Sequence, residues 1–124
     1  MTDTGLFVSM LGEETQSDIL RGNLLSYKGA IYENLMADML CKKGKRLYYY
    51  HKPDSIELDF VMRYKDACTI VECKARTGNA KSMQTVLKHP EKYHVYSALK
   101  FGDYNVGRNG ALLTLPFYMG YLLK

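Results

Sequence analysis

The chain has 124 residues, a formal net charge of +4 and a sequence pI near 8.9. Hydrophobic residues make up 47% of it and charged residues 24%, which is typical of a folded domain and excludes wholesale disorder. This length predicts a single domain over residues 1–124 with one buried core. The mildly basic charge is compatible with a polyanionic partner and equally with an ordinary basic surface.

Cysteine spacing and hydropathy indicate the class of protein. Cys41, Cys68 and Cys73 form no C-x-x-C pair and have apolar neighbours, so we expect reduced core thiols in a cytoplasmic protein. The histidines show no zinc-ligand spacing with them. The most apolar stretch, residues 111–123, is interrupted and too short to cross a bilayer. Neither a signal peptide nor membrane association is predicted.

The N-terminal part of the chain is predicted to begin with a short helix. Residues 4–11 are apolar, and Asp3 or Thr4 is a suitable cap for a helix there. Residues 13–26 are more polar and contain a Gly-Asn pair, which predicts that this segment includes a loop.

The strongest helix signal covers residues 28–43. Apolar residues recur there at i, i+4 and i+8 spacing, and Gly44 follows the basic end as a stop. They are Ile31, Tyr32, Leu35, Met36, Met39 and Leu40.

Five strands are predicted after this helix. They are residues 47–50, 56–63, 68–75, 94–99 and 111–115. A turn at 52–54 separates the first two strands, a helix at 81–88 ends at His89-Pro90, and a short apolar helix closes the chain. This order predicts an α/β fold, in which a mixed central sheet is flanked by helices.

The second and third strands carry the acidic side chains. Because side chains alternate along a strand, Ile56, Leu58, Phe60 and Met62 are expected to share one apolar face. A hairpin centred on residues 65–66 then makes three apolar or polar pairs and two pairs of charged residues. The pairs are Phe60 with Val71, Leu58 with Cys73, Met62 with Thr69, Asp59 with Glu72, and Glu57 with Lys74.

Facing carboxylates indicate a metal site. Directly opposed residues have Cβ atoms about 5 Å apart, where like charges repel. A Mg²⁺ or Mn²⁺ ion between Asp59 and Glu72 would turn this repulsion into ligation, with Lys74 on the same face. Carboxylates, a metal and a lysine are what phosphodiester hydrolysis requires. The alternative is a solvent-facing strand pair in which Lys74 balances Glu57 and Glu72.

The motifs ELDFV (57–61) and IVECKA (70–75) resemble the core of the PD-(D/E)XK nuclease superfamily. Leu58 stands where the superfamily name has a proline. More narrowly, most of the chain resembles a domain of unknown function at the C-terminal end of many prokaryotic AAA-type ATPases. The motifs that carry this resemblance are DTGL (3–6), KGAIYEN (28–34), LYYY (47–50), ELDFV, VECK (71–74) and AKS (80–82).

The resemblance implies a restriction-endonuclease-like fold and assigns roles to four residues. Asp59 and Glu72 would bind the metal, Glu33 of the first long helix would join them, and Lys74 would serve catalysis. An ordinary edge carboxylate is the alternative for Glu33. The chain lacks a G-x-x-x-x-G-K-[ST] phosphate loop, so we expect an ATPase domain upstream of it in a longer protein.

Two sets of polar residues are candidate nucleic-acid contacts. The first follows the long helix and consists of Lys42, Lys43, Lys45 and Arg46, with tyrosines 48–50 next to it for base stacking. A solvated helix end that complements the helix dipole is the alternative. The second set is Lys81, Ser82 and Gln84 of the predicted helix at 81–88, for which surface positions are the alternative.

The sequence therefore predicts a metal-dependent deoxyribonuclease domain that uses Mg²⁺ or Mn²⁺ and acts on DNA. The alternatives are a non-catalytic module that binds nucleic acid or protein for an ATPase, and a structural domain that retains the acidic pair. The oligomeric state is left open.

Overall fold

Three helices precede the sheet in the computed structural model, which describes residues 3–24, 27–53, 55–75 and 80–124. They are α1 (Thr4–Ser9), α2 (Glu13–Leu20) and α3 (Lys28–Lys42). Asp3 is the predicted cap of α1, since its Oδ1 accepts a hydrogen bond from the Leu6 N–H at 2.7 Å.

The loop predicted within residues 13–26 is shorter than the polarity of that segment indicates. Its first part forms α2, because Glu13 and Glu14 in the first turn suit the positive end of the helix dipole. Gly22, with φ of 81°, follows the helix as the predicted breaker. Residues 25 and 26 lie outside the described residues.

α3 is confirmed to within one residue. It ends at Lys42, and Gly44 follows in the left-handed conformation with φ of 75°, which a glycine adopts without strain. Met36, Met39 and Leu40 are buried, so the predicted apolar stripe is the face that packs on the sheet.

Six strands form one mixed sheet in the order β1-β2-β3-β4-β6-β5. Strands β1, β2 and β3 are antiparallel, β3, β4 and β6 are parallel, and β5 pairs antiparallel with β6 at the edge. Their bounds are β1 (Leu47–Lys52), β2 (Ile56–Tyr64), β3 (Ala67–Lys74), β4 (Ser97–Gly102), β5 (Gly107–Asn109) and β6 (Leu112–Pro116).

Two parts of this topology differ from the sequence prediction. The strand expected at 94–99 starts only at Ser97, because α5 (Pro90–Tyr93) precedes it and His94 leaves that helix with φ of 55°. The segment between the strands predicted at 94–99 and 111–115, for which no strand was predicted, contains the short strand β5. The predicted helix α4 (Lys81–Lys88) and the apolar C-terminal helix, a 3₁₀-helix over Phe117–Leu122, are confirmed. Asp54 of the predicted turn lies outside the described residues.

Helices cover both faces of the sheet. On one face, α3 and the 3₁₀-helix enclose a cluster of buried residues that includes Met36, Met62 and Phe101. On the other face, α4 encloses a second cluster that includes Leu58, Ile70 and Met83. The mixed sheet flanked by helices is thus the architecture that the sequence predicts.

The three cysteines differ in exposure. Cys73 is buried as expected, whereas the core location expected for Cys41 and Cys68 is wrong because both are exposed. Cys68 pairs with Arg63 next to the exposed hairpin turn. All three thiols are free. Within the described residues, no helix is long and apolar enough to cross a membrane.

Candidate functional site

The β2–β3 hairpin turns at residues 65–66, as the sequence predicts. Both residues have positive φ, 48° and 62°, which is typical of a two-residue turn that matches the twist of its strands. The pairs of Phe60 with Val71 and of Met62 with Thr69 are confirmed. The register of this half of the hairpin is therefore the predicted one.

A bulge in β2 changes the register towards its start. The pairing of β1 with β2 shifts between Tyr48 and Tyr50, opposite Asp59. Leu58 consequently packs in the cluster under α4, whereas Phe60 packs against the cluster under α3. The single apolar face predicted for this strand is wrong, because alternation assumes an unbroken strand.

Asp59 lies at the bulge and is held by the backbone of β3. The paired ladder of β2 and β3 ends at Phe60 and Val71, and beyond it the Asp59 Oδ2 accepts a hydrogen bond from the Cys73 N–H at 2.8 Å. Burial raises the pKa of Asp59, and the hydrogen bond from Cys73 only partly offsets this. Asp59 is thus anchored beside Glu72, although not through the ladder pair that the sequence predicts.

Glu72 is the most buried acidic side chain of the site, with 4% of its surface exposed. The Lys74 Nζ lies 2.5 Å from its Oε1. Its Oε2 is buried and has no hydrogen-bond partner among the described residues. Burial raises the pKa of Glu72, and the hydrogen bond from Lys74 opposes that rise. A buried carboxylate oxygen without a partner is costly, which indicates that a ligand belongs next to it.

Lys74 remains a cation in this setting. Burial by itself lowers the pKa of Lys74, but the hydrogen bond with Glu72 and the nearby charge of Asp59 raise it above its usual value. The side chain therefore contributes a positive charge at neutral pH.

Glu33 approaches the site from α3. Its side chain is exposed on the helix, yet partial desolvation and the neighbouring charge of Asp59 raise its pKa. The charge of Lys74 acts in the opposite direction. Glu33 is thus electrostatically coupled to the acidic pair, and the metal-binding role that the family resemblance implies for it stays a prediction.

The acidic pair opens into a cavity of about 360 Å³, here called the acidic cavity. Its walls include Glu57, Asp59, Glu72, Lys74, Lys81 and Ser82. The Ser82 Oγ accepts a hydrogen bond from the Glu57 N–H at 3.1 Å, which ties α4 to β2. Of the three α4 candidates, Lys81 and Ser82 thus reach the site, whereas Gln84 is exposed and does not line the cavity.

The donor atoms fit a magnesium or manganese ion held by two carboxylates. Among the residues that the structure describes, no group of three His, Cys, Asp or Glu side chains is close enough to hold a metal directly. Magnesium, however, is commonly held by one or two carboxylates and keeps several water molecules. Asp59 and the Glu72 Oε2, which has no hydrogen-bond partner among the described residues, are the carboxylate oxygens that would hold such an ion.

Most of the basic cluster after α3 is engaged within the protein. The Lys42 Nζ pairs with the Asp38 Oδ2 at 2.8 Å, and this hydrogen bond raises the pKa of Lys42. The Lys43 Nζ donates to the Tyr121 carbonyl at 2.8 Å. Both lysines therefore stabilise the end of α3 through partners inside the protein. A phosphate group would have to compete with these partners for the nucleic-acid contacts that the sequence predicts.

Lys45 and Arg46 differ from these two lysines. The Lys45 Nζ donates to the Lys124 carbonyl at a longer 3.2 Å. Arg46 has no ion pair or side-chain hydrogen bond in the described part of the chain.

The sequence analysis missed the buried Asp38 as the partner of Lys42. The spacing of four residues between them is nevertheless a sequence signal for an ion pair on one helix.

The Glu33→Gln variant should raise the melting temperature of the metal-free protein at neutral pH. The pKa of Glu33 is raised in the folded protein above its ordinary value of 4.5. The contribution of this group to stability is therefore fully present below pH 4.5, and it is lost as the pH rises through the pKa of the folded state. The variant removes this loss, and thermal melts in EDTA should show a larger gain at pH 7 than at pH 4.5. Glu14→Gln in α2 is the control, and an equal gain at both pH values would contradict the electrostatic coupling.

A family model described as Domain of unknown function (DUF4143) matches residues 28–118. The match covers most of the chain, from the start of α3 to the 3₁₀-helix, and includes every residue of the acidic cavity. No curated protein and no solved structure matches the chain.

Proposed function

Since the chain belongs to the family described as Domain of unknown function (DUF4143), we propose its function from the acidic cavity: a nuclease domain of the PD-(D/E)XK type. It hydrolyses phosphodiester bonds of DNA and needs a divalent metal ion. The observation that carries the proposal is the Glu72 carboxylate beside Asp59. Its Oε1 pairs with Lys74, while its buried Oε2 has no hydrogen-bond partner in the described part of the chain.

Asp59 and Glu72 hold Mg²⁺ or Mn²⁺ in this proposal, and Glu33 supports the ion from α3. When bound, such an ion makes a water molecule more acidic and stabilises negative charge on a phosphate. The hydrogen bond from the Cys73 N–H fixes the Asp59 carboxylate before substrate arrives. The site is thus preorganised on two strands rather than on loops.

Lys74 acts as an electrostatic group. Its raised pKa keeps it protonated, so it can donate to a phosphate oxygen where negative charge develops. Glu72 positions the ammonium group through their ion pair. Lys81 and Ser82 face the same cavity from the first turn of α4, where they are placed to contact a neighbouring phosphate.

A non-catalytic module is the second candidate, and one observation favours it. Asp59 and Glu72 each have a partner inside the protein, the Cys73 N–H and Lys74 respectively, which a structural acidic pair would also need. In that case the domain binds nucleic acid or protein for the AAA-type ATPase that the family resemblance implies, in the cytoplasm.

Cleavage assays separate the two candidates. Purified protein is incubated with labelled single-stranded and double-stranded DNA, in Mn²⁺ or in EDTA. We expect cleavage in Mn²⁺ alone, lost in Asp59→Ala and retained in the control Glu14→Ala. Cleavage that Asp59→Ala leaves unchanged comes from a contaminant and contradicts the nuclease proposal. DNA binding without cleavage supports the non-catalytic module.

A further inference from the structure

A second cavity, here called the basic pocket, lies at the hairpin end of β2 and has a volume of about 530 Å³. Lys45 and Arg46 reach it from the turn after α3, Arg63 from β2 and Lys65 from the hairpin. Asp66 is the one carboxylate among the described residues that line it. Arg63 and Lys65 are far from Lys45 and Arg46 in sequence, so this cluster is visible only in the fold.

The two arginines of the basic pocket are weakly engaged within the described part of the protein, while Lys45 has a long hydrogen bond to the Lys124 carbonyl. The Arg63 side chain is 78% exposed, and its contact with Asp66 is long, at 3.4 Å. The Lys45 and Lys65 ammonium groups each lie 5.4 Å from the centre of the Tyr64 ring, which gathers two positive charges around one aromatic side chain. Four cations and one carboxylate in an open pocket favour a ligand that presents several phosphates.

A third cavity, here called the tyrosine cleft, lies between α3 and β1 and has a volume of about 290 Å³. Tyr48 and Tyr49 line it with apolar side chains of α3 and β2, and are 57% and 63% exposed. The Tyr49 hydroxyl donates to the Glu57 Oε1 at 3.2 Å, and its ring stacks on His51. An oriented aromatic wall of this kind is suited to stack an unpaired base.

The tyrosine cleft adjoins each of the other two cavities through one shared lining residue. Tyr48 lines both the basic pocket and the tyrosine cleft, and Asp59 lines both the tyrosine cleft and the acidic cavity. Arg63 and Asp59 are four residues apart on β2, about 13 Å at a rise of roughly 3.3 Å per residue. A strand of a few nucleotides spans that distance.

We propose that the basic pocket and the tyrosine cleft bind single-stranded nucleic acid and lead it to the acidic cavity. Phosphates bind Arg46, Arg63 and the two lysines, and a base stacks in the tyrosine cleft. A duplex keeps its bases paired and stacked, so it gains the phosphate contacts without the stacking. The direction of the strand towards Asp59 rests on the proposed nuclease function, whereas the binding surface itself does not.

Fluorescence anisotropy in EDTA tests binding without cleavage. The probes are labelled oligothymidylate, labelled oligouridylate and a labelled duplex of the same length. We expect the double variant Arg46→Gln/Arg63→Gln to bind both single strands about tenfold more weakly. The slope of log affinity against log salt concentration should fall in magnitude by about 1.4, which is about 0.7 for each lost phosphate contact. The control is Arg21→Gln, which removes one positive charge directly after α2 and away from the basic pocket, and which should change binding far less.

Tyr48→Ala tests the preference for single strands. It should weaken binding to oligothymidylate about tenfold and leave duplex binding nearly unchanged, because only an unpaired base stacks in the cleft. The control is Tyr96→Ala, which removes a similarly exposed tyrosine, at 63% against 57% for Tyr48, that lies outside the cleft.

The binding assay in EDTA tests the single-strand surface, whereas the cleavage assay in Mn²⁺ tests the nuclease proposal. Equal affinity for duplex and single strands, or equal losses in Tyr48→Ala and Tyr96→Ala, overturns the inference. Single-strand binding that depends on Arg46, Arg63 and Tyr48 supports it even where Mn²⁺ gives no cleavage. That second result rejects the nuclease proposal alone. A preference for oligouridylate over oligothymidylate identifies RNA as the strand.

Discussion

Replacing Lys74 with methionine should lower the rate of DNA cleavage by roughly 10²- to 10³-fold, the usual effect of removing one group that stabilises transition-state charge. The Lys74 ammonium group is partly buried in the acidic cavity, and its raised pKa keeps it charged there. Initial rates on labelled DNA in Mn²⁺ measure the loss. The variant should still gain thermal stability on addition of Mn²⁺, because Asp59 and Glu72 remain.

Three further variants make this test specific to Lys74. Lys74→Arg keeps the positive charge beside the buried Glu72, so it should fold as the wild type does and keep part of the activity. Glu72→Gln should lose both cleavage and the thermal response to Mn²⁺. Lys88→Met, an exposed substitution at the far end of α4, is the matched control. Cleavage by Lys74→Met at the wild-type rate would reject a catalytic role for this lysine.

Replacing Phe101 with alanine should lower the free energy of unfolding by about 3–5 kcal/mol. Phe101 is fully buried, pairs with Cys73 across the parallel strands and packs in the cluster under α3. Its removal leaves a cavity directly behind the strand that carries Glu72 and Lys74. Urea denaturation measures the loss, and the Tm should fall by more than about 10 °C.

Two variants distinguish a cavity effect from a general loss of aromatic surface. Phe101→Leu keeps most of the volume and should cost less than about 1.5 kcal/mol. Tyr118→Ala removes a ring that is 70% exposed and should change stability by no more than about 0.5 kcal/mol. A loss in Tyr118→Ala equal to that in Phe101→Ala would contradict the assigned core.

Regular elements with a strong periodic signal could be predicted from the sequence. α3 and α4 have apolar residues at helical spacing and clear stops, and their predicted bounds agree with the structure to within one residue. α2 and β5 were missed, because α2 buries no residue and β5 has only three. Such elements depend on capping charges or on a neighbouring strand, neither of which produces a hydrophobic pattern.

The sequence predicted which residues line the acidic cavity, but not how the fold holds them there. Asp59, Glu72 and Lys74 line one cavity, as the turn at residues 65–66 leads one to expect, although strict alternation fails at the bulge next to Asp59. The hydrogen bond from the Cys73 N–H to Asp59 depends on the bulge, for which the sequence of β2 gives no signal. The role of the basic cluster was not predictable either, since Lys43 binds a carbonyl 78 residues away.

The bulge in β2 also limits how the length of this strand can change. Ile56 and Leu58, before the bulge, face α4, whereas Phe60 and Met62, after it, face α3. Deleting one residue between Phe60 and the hairpin turn would turn the earlier part of the strand over, so that Ile56 and Leu58 would leave the α4 layer. A substitution at Asp59 removes a carboxylate, but a deletion between Phe60 and the turn exchanges the faces of the strand. In a comparison of related chains, the spacing of this segment is therefore expected to vary less than the identity of its individual residues.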